Sequence, residues 1–533
     1  MLQIKSIKKN FGLQEILKDV TFSVNKGECV ALTGPNGSGK STVLRCINGE
    51  IKIDGGEILK NTDIKMAYLK QNDVIYDGKV KYYLLKEFDK LSVAYRQLEE
   101  TPVDDSKYIG CMDTFLELGG FELEAESIRE LSVFDYDETL LEKNMMELSL
   151  GQRKLMEIIS LLISNPDLFI MDEPTNHLDI AMRVYLERLI LRKTHAGKTF
   201  LIVSHDRTFI DRVATKTVYI KRGVSEQSAG GYTHMLSLLD EKFGAAKKES
   251  ENLGKKIRSL EILVTTKKNW AVQAENKKKG AADKGFMGHK AAKIAQSALV
   301  YSAKKQKMIK ELEEKRPFVE KPVKINCPEY DVPNRRFIDM DNCSFGYAGG
   351  EILFRNITLQ MNTRDKIALI GRNGCGKTTF FKTMTGFLSP VEGTVYRNPN
   401  IRYTYISQDI ASFFNKEILI DNFSDLGLEH SLIHSALKAS RLKEETLERS
   451  VSELSRGELM KSALVKLILS RSEFVFMDEP TNHLDVETLE VLQELISQFP
   501  GGMFFISHDR QFVSGNSELI YHMKEQKLNI VKL

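Results

Sequence analysis

The chain repeats itself. GPNGSGKST at Gly34 to Thr42 returns as GRNGCGKTT at Gly371 to Thr379, and DLFIMDEPTNHLD at Asp167 to Asp179 returns as EFVFMDEPTNHLD at Glu473 to Asp485. Two long motifs recurring in the same order restrict the chain to two copies of one fold. Both loops satisfy G-x-x-x-x-G-K-[ST], and each follows an apolar strand-like run, ECVALT or KIALI, and precedes a helix-like segment. That is the context in which backbone N–H groups at a helix start cradle phosphate oxygens.

The loop residues expected to bind nucleotide are Gly34, Pro35, Asn36, Gly37, Ser38, Gly39, Lys40, Ser41 and Thr42, and Gly371, Arg372, Asn373, Gly374, Cys375, Gly376, Lys377, Thr378 and Thr379. Lys40 and Lys377 reach the terminal phosphates, and Ser41 and Thr378 offer hydroxyls to Mg²⁺. Each DEPTNHLD motif ends a buried parallel strand in two carboxylates, at the edge where open α/β sheets bind ligands. Asp172 and Asp478 are expected to help hold Mg²⁺, and Glu173 and Glu479 to polarise the attacking water. His205 in VSHDR and His508 in ISHDR follow a further strand and are candidates for the γ-phosphate, although either histidine alone reads as structural.

A length of 533 residues exceeds what one core organises, which agrees with two domains plus accessory pieces. Hydrophobic residues at 42% and charged residues at 28% are those of a globular protein. No apolar run is long enough to cross a bilayer, and MLQIKSIKKNFG lacks the apolar run of a signal peptide, so a cytoplasmic protein is expected. Six cysteines (Cys29, Cys46, Cys111, Cys327, Cys343, Cys375) lack metal-like pairing and read as reduced thiols.

Offsets between the copies expose an insertion. Lys377 and Gln408 lie 337 residues beyond Lys40 and Gln71, whereas Ser455 and Asp478 lie only 306 beyond Ser149 and Asp172, so the first copy holds 31 extra residues. That interval contains Lys79 to Glu100, with apolar residues Tyr83, Leu84, Phe88, Leu91 and Tyr95 at helical spacing, and a helical arm at about 79–105 is expected.

Charge is divided unevenly. Between Lys242 and Lys324 stand 22 basic against 9 acidic residues, a net +13, which leaves −10 for the rest of a chain whose total is +3. Leu253, Ile257, Leu260 and Val264, then Ile294, Ala298, Tyr301, Met308 and Leu312, trace two apolar seams, so the spacing predicts an antiparallel helical hairpin of coiled-coil type. Gly280, Gly285 and Gly288 mark its turn, and Pro317, Pro322, Pro328 and Pro333 its exit. The tip gathers Trp270, Lys277, Lys278, Lys279, Lys284, Phe286, Met287, His289, Lys290 and Lys293, a mixture that suits phosphates and bases in folded RNA; a solubilising charged tip is the plainer reading.

LSLGQ at Leu148 to Gln152 and LSRGE at Leu454 to Glu458 resemble the signature of ATP-binding cassette proteins. The resemblance implies that two ATP molecules bind between two facing cassettes. Ser455 and Gly457 would then cover ATP on Lys40, and Ser149 and Gly151 would cover ATP on Lys377. It also implies that Gln71 and Gln408 serve metal and water, and that Phe11 and Tyr347 stack on adenine. Leu150 and Arg456 stand where the signature usually has glycine, and Glu458 where it has glutamine. A carboxylate near a triphosphate is repulsive if it points inward, so both sites are expected to bind ATP while their hydrolysis rates can differ.

Tandem cassettes, the DEPTNHLD form, the arm and the basic hairpin together resemble the ABC-F translation proteins, and within them the Gram-positive antibiotic-resistance, or ribosomal protection, branch. The fold implied is α/β: two P-loop cassettes, at 1–239 and 323–533, joined by a hairpin at 240–322. The implied function is an ATPase that, when ATP-closed, binds the exit site of the 70S ribosome. Its hairpin would contact 23S rRNA and the peptidyl-site tRNA, protecting the peptidyl transferase centre from lincosamide, pleuromutilin or streptogramin A antibiotics, with hydrolysis driving release. The cofactors expected are ATP and Mg²⁺, the chain a monomer and no membrane a partner. Two alternatives are a general translation factor relieving stalled ribosomes, and the ATPase subunit of an exporter with a separate membrane protein.

Overall fold

The computed structural model describes residues 1–531 apart from 72–74, 87, 104, 106, 135, 279–292, 294–295, 298, 310–324, 326–329 and 347–351, and describes 89, 243, 246–247, 250, 254, 271 and 274–278 by backbone alone. It divides into two compact units, Met1–Thr233 with Pro322–Leu533, and His234–Lys321.

Nine strands build the first cassette: β1 (Leu2–Phe11), β2 (Gln14–Val24), β3 (Cys29–Thr33), β4 (Gly55–Lys60), β5 (Met66–Leu69), β6 (Leu168–Asp172), β7 (Thr199–Val203), β8 (Lys216–Lys221) and β9 (Val224–Ala229). They hydrogen-bond in the order β4-β1-β2-β9-β8-β3-β7-β6-β5. β3, β6 and β7 are buried along their whole length, as strands covered on both faces must be, and this is why they read as unbroken apolar runs. Phe169 and Phe200 stack across β6 and β7 with centroids 4.6 Å apart.

The second cassette repeats the plan with β10 (Arg336–Gly346), β11 (Ile352–Asn362), β12 (Lys366–Gly371), β13 (Glu392–Arg397), β14 (Tyr403–Ile406), β15 (Phe474–Asp478), β16 (Gly502–Ile506), β17 (Leu519–Lys524) and β18 (Lys527–Val531). The order β14-β15-β16-β12-β17-β18 matches β5-β6-β7-β3-β8-β9 strand for strand, and β11-β10-β13 forms a separate sheet. The α/β architecture of tandem cassettes read from the sequence is the one observed.

Between β5 and the signature helix Leu150–Ile163 lie helices Val80–Leu84, Asp89–Glu100, Tyr108–Glu117, Gly120–Ser132 and Thr139–Glu142. The second cassette has only His430–Ala439 and Glu444–Leu447 there, besides short 3-10 turns. Gly120–Ser132 falls at the repeat offset of His430–Ala439, so Asp89–Glu100 and Tyr108–Glu117 are the surplus pair. Their shared core is Leu91, Tyr95 and Phe115, with the Tyr95 and Phe115 rings stacked at 5.0 Å. The periodic segment Lys79 to Glu100 is thus two helices. Its first part, at Tyr83 and Leu84, packs into the cassette core.

In the other unit, helix Tyr232–Lys278 runs for 47 residues and 299–309 is helical again. Lys267 Nζ donates to Ser297 Oγ at 3.2 Å and lies 4.9 Å from the Tyr301 ring, while Glu261 pairs with Lys305. Partner numbers rise on one helix as they fall on the other, so the two run antiparallel. Leu253, Ile257 and Leu260 are buried along the seam. Ile294, Ala298 and Leu312 of the second seam lie outside the described residues. Among the described residues no helix is long and apolar enough to cross a membrane.

Candidate nucleotide sites

Each phosphate loop leaves a buried strand and turns into a helix through glycines that no other residue replaces. At Gly34 φ is 140°, and a Cβ there would lie 2.1 Å from Ile220 O. Gly39 and Gly376 cap the helices Lys40–Ile47 and Lys377–Thr385 at φ 95° and 99°, where a left-handed residue lets the loop fold over the helix start. Lys40 Nζ donates to Gly34 O and Pro35 O, both at 2.8 Å, and Lys377 Nζ to Gly371 O at 2.9 Å and Arg372 O at 3.0 Å.

A cavity of about 460 Å³ surrounds the first loop, lined by Phe11, Asn36, Gly37, Gly39, Lys40, Ser41, Thr42, Gln71, Asp172, Glu173 and His205. A second, of about 420 Å³, surrounds Asn373, Gly374, Gly376, Lys377, Thr378, Thr379, Gln408, Asp478, Glu479 and His508. Each is walled by both cassettes. Thr481, Asn482, His483 and Leu484 close the first, while Ser149, Gly151 and His177 close the second.

Glu173 and Glu479 follow β6 and β15 in left-handed conformations, φ 51° and 52°, which cost a side-chain-bearing residue about 1–2 kcal/mol. Their N–H groups donate to Val203 O and Ile506 O at 2.9 and 3.0 Å, which holds the turn. Burial pushes Glu173 up to about 8, against the pull of Lys40, and Glu479 up to about 7, against Lys377. Burial likewise drives His205 down to about 3 and His508 well below its usual value, so both imidazoles are neutral near pH 7. His205 Nε2 stands 3.3 Å from Glu173 Oε1 and His508 Nε2 3.2 Å from Glu479 Oε1, yet the angles leave Glu173 Oε1 and His508 Nε2 without hydrogen bonds.

The carboxylates before them fit a hard cation. Burial raises Asp172 and Asp478, opposed by hydrogen bonds from Ser41 and Thr378. Asp172 Oδ1 and Asp478 Oδ2 are buried with no hydrogen-bond partner. With Gln71 and Gln408 on the cavity walls, the donors are all oxygen, the set Mg²⁺ takes.

The two signatures are placed differently. Ser149 and Ser455 each cap their helix in a reciprocal box, with Gln152 and Glu458 respectively. Gly151 abuts the opposite cassette: a Cβ on it would lie 2.8 Å from Asn373 Nδ2. Ser455 and Gly457 are not among the residues lining the first cavity. The Ser455 hydroxyl instead donates to Glu458 Oε2 at 2.7 Å, a bond that a glutamine amide oxygen would draw less strongly, and Gly457 faces Thr488 of its own cassette. Arg456 Nη2 donates to Glu479 O at 3.3 Å, whereas Leu150, at the matching position, is 43% exposed.

Of the remaining expected residues, Ser38 is buried with its hydroxyl unpartnered, and Gly34, Pro35, Gly371, Arg372 and Cys375 lie in the loops behind the cavity walls. Tyr347 and the tip residues Lys279, Lys284, Phe286, Met287, His289 and Lys290 fall outside the described residues. Lys277 and Lys278 are helical, and Trp270 and Lys293 are exposed.

Sequence reasoning missed three groups. His177 and His483 lie in different cavities with rings 5.0 Å apart. Asp179 and Asp485 accept from the opposite loops at Asn373 N and Asn36 N. The repetition of NHLD in both motifs was the signal that could have found these. Arg183 lines both cavities, donating to Asp206 Oδ2 at 3.0 Å and His508 O at 3.2 Å, and nothing in its sequence context marks it.

A family model described as ABC transporter matches residues 17–176 and 354–482. The chain is 30% identical to ABC transporter F family member 2 of Arabidopsis thaliana, over 96% of this chain and 75% of that one. It is 29% identical to putative ATP-binding protein YdiF of Bacillus subtilis (strain 168), over 96% and 78%. Among solved structures, a complex of archaeal ribosomal stalk protein aP1 and archaeal ribosome recycling factor aABCE1 shares the fold, with a TM-score of 0.61 and 19% identity over 97% of this chain and 87% of that one.

Proposed function

Because the chain belongs to the ABC transporter family, and within it to the F branch, we propose that its cassettes close on two ATP molecules and that the closed form is the one that binds the ribosome. It hydrolyses ATP to ADP and phosphate, the activity of the ATPase domains it shares with that family. The observation that carries the reading is the second cavity, where Ser149 and Gly151 of one cassette stand with Lys377, Thr378 and Glu479 of the other. An ATP molecule there is contacted from both sides, so binding it draws the cassettes together.

In this reading Lys40 and Lys377 neutralise terminal phosphates, Phe11 stacks on adenine, and Ser149 with Gly151 points an N–H-rich helix start at the γ-phosphate. Glu173 and Glu479 orient the attacking water and take its proton at a carboxylate oxygen; burial sets their affinity for that proton near the working pH. His205 and His508, neutral, hold the γ-phosphate side. Mg²⁺ would sit on Ser41, Gln71 and Asp172, and on Thr378, Gln408 and Asp478, offsetting triphosphate charge when bound.

The working parts are then a first cassette at 1–239, a basic hairpin at 240–322 and a second cassette at 323–533. With the net +13 of Lys242 to Lys324 and an exposed Trp270, the hairpin suits 23S rRNA and the peptidyl-site tRNA. The archaeal ribosome recycling factor aABCE1 has this fold, which supports the ribosome as a partner. We place the closed monomer at the exit site in the cytoplasm, protecting the peptidyl transferase centre from lincosamide, pleuromutilin or streptogramin A drugs, with hydrolysis releasing it.

The test is sedimentation of Glu173→Gln/Glu479→Gln protein with ribosomes, with and without ATP. ATP-dependent retention is expected, and equal sedimentation in both conditions sinks the coupling. Susceptibility of cells to the three drug classes, with and without the protein, separates drug protection from general relief of stalling.

A further inference from the structure

The two phosphate loops are restrained by different means. In the first, Pro35 occupies the second position, its ring fixing φ, and its carbonyl receives Lys40 Nζ at 2.8 Å and Ser38 N at 3.2 Å. In the second, Arg372 takes that position, its carbonyl receiving Lys377 Nζ at 3.0 Å and Cys375 N at 3.3 Å. Arginine has no ring to hold the backbone. Its side chain instead crosses to the first cassette, where Nη2 donates to Phe134 O at 2.6 Å and the guanidinium lies 5.7 Å from the Tyr136 ring.

Phe134 and Tyr136 stand just beyond the C-terminal end of helix Gly120–Ser132, whose other end meets the surplus pair of the first cassette. Phe134 is buried against Tyr185, with ring centroids 4.5 Å apart. The same helix carries Phe121, whose ring meets Phe115 of the surplus pair at 5.1 Å. A continuous set of contacts therefore runs from the surplus helices to the second phosphate loop. The matching position of the first loop is a proline, which cannot make such a contact.

We propose that Arg372 is a positioning residue that makes ATP affinity at the Lys377 site conditional on the placement of the first cassette's helical insertion, while the Lys40 site carries its own restraint in Pro35. A partner that displaces the insertion thereby loosens one nucleotide and not the other. This rests on the assignment of Lys40 and Lys377 to separate ATP sites.

The experiment titrates a fluorescent, non-hydrolysable ATP analogue into full-length protein whose second site is the only one left by Lys40→Ala, and into Lys377→Ala protein, which keeps only the first. In the Lys40→Ala chain, Arg372→Met is expected to raise the Kd roughly tenfold, the scale of one lost hydrogen bond from a charged donor. Tyr136→Leu raises it less, Arg372→Lys recovers part of the loss, and adding Tyr136→Leu to Arg372→Met changes nothing further. In the Lys377→Ala chain all these variants leave Kd unchanged within about twofold. A Kd unmoved in the Lys40→Ala chain, a change of equal size in both chains, or a silent Tyr136→Leu overturns the proposal, the last because it leaves only direct contact between Arg372 and phosphate. Should Arg372→Met fail to fold, Tyr136→Leu and Arg372→Lys decide the matter from either end of the contact. If Lys40→Ala does not halve the binding stoichiometry, the two-site reading itself fails, independently of Arg372.

Discussion

The backbone N–H of Asn36 donates to Asp485 Oδ2 at 2.6 Å, joining residues 449 apart in the chain. The other oxygen of that carboxylate accepts from Thr488 N at 2.8 Å and so caps helix Val486–Ser497. One side chain therefore ties the first phosphate loop to a helix start of the opposite cassette. Asp179 does the same for Asn373, more loosely, at 3.3 Å.

Asp485→Ala is expected to lower stability by about 1 kcal/mol through the lost cap, measured by chemical denaturation, and to slow steady-state phosphate release roughly tenfold through the lost tie between cassettes. Asp485→Asn, whose one acceptor oxygen can keep the Thr488 cap while its NH₂ faces Asn36 N, should recover the stability but not the turnover. Equal turnover in Asp485→Ala and the parent protein would show that the contact does not matter to the working cycle.

Glu173→Gln combined with Glu479→Gln should slow phosphate release by roughly 10²-fold or more, since together they remove the proton acceptor of both sites. ATP binding, followed by equilibrium titration, should survive. Loss of binding together with turnover would mean that these residues organise the loop and do not serve the water.

Stability of the nucleotide-free protein should depend on pH through Glu173. Its carboxyl is raised from 4.5 to about 8 by burial, so the folded state holds a proton that the unfolded state releases between those values. The stabilisation this group contributes is complete below 4.5 and is lost as pH rises through 8. The melting temperature of Glu173→Gln minus that of the parent should accordingly grow from pH 5 to pH 8.5. A difference constant over that range would contradict the burial effect. His205, pushed down to about 3, acts in the opposite sense: its contribution is present above 6.5 and fades as pH falls, so the comparison belongs on the alkaline side.

The signatures offer an asymmetric test. A Cβ at Gly151 would stand 2.7 Å from His177 O and 2.8 Å from Asn373 Nδ2, wedging between two groups hydrogen-bonded at 2.6 Å. At Gly457 the nearest atom is Thr488 Oγ1, at 3.2 Å, a side chain that can turn aside. Gly151→Ala should therefore slow phosphate release roughly tenfold, and Gly457→Ala by no more than about twofold. Equal losses would mean that the two signatures work alike.

Much of the site is legible in the sequence, for a local reason. A phosphate loop, a carboxylate-ended strand and a signature helix each need particular residues within a few positions of one another, because short-range backbone geometry builds them. Lys40, Asp172 and Glu173 declare themselves in that way, whereas Gly151 is marked by the resemblance of LSLGQ to the cassette signature. The apolar runs of β3, β6 and β12 likewise mark parallel strands, since burial on both faces leaves no room for alternation. Helical spacing over Lys79 to Glu100 does not show that Tyr83 and Leu84 turn into the cassette core while Leu91 and Tyr95 pair with Phe115, because both cores demand the same periodicity.

By itself, then, the sequence determined two cassettes, their phosphate loops and the carboxylates beside them. Tertiary structure alone decided what each borrows from the other: Arg183 lining both cavities, His177 beside His483, and Arg372 reaching Phe134. Such contacts depend on how two folded surfaces meet. No spacing within either copy encodes that meeting, and nearly identical motifs can stand in it on unequal terms.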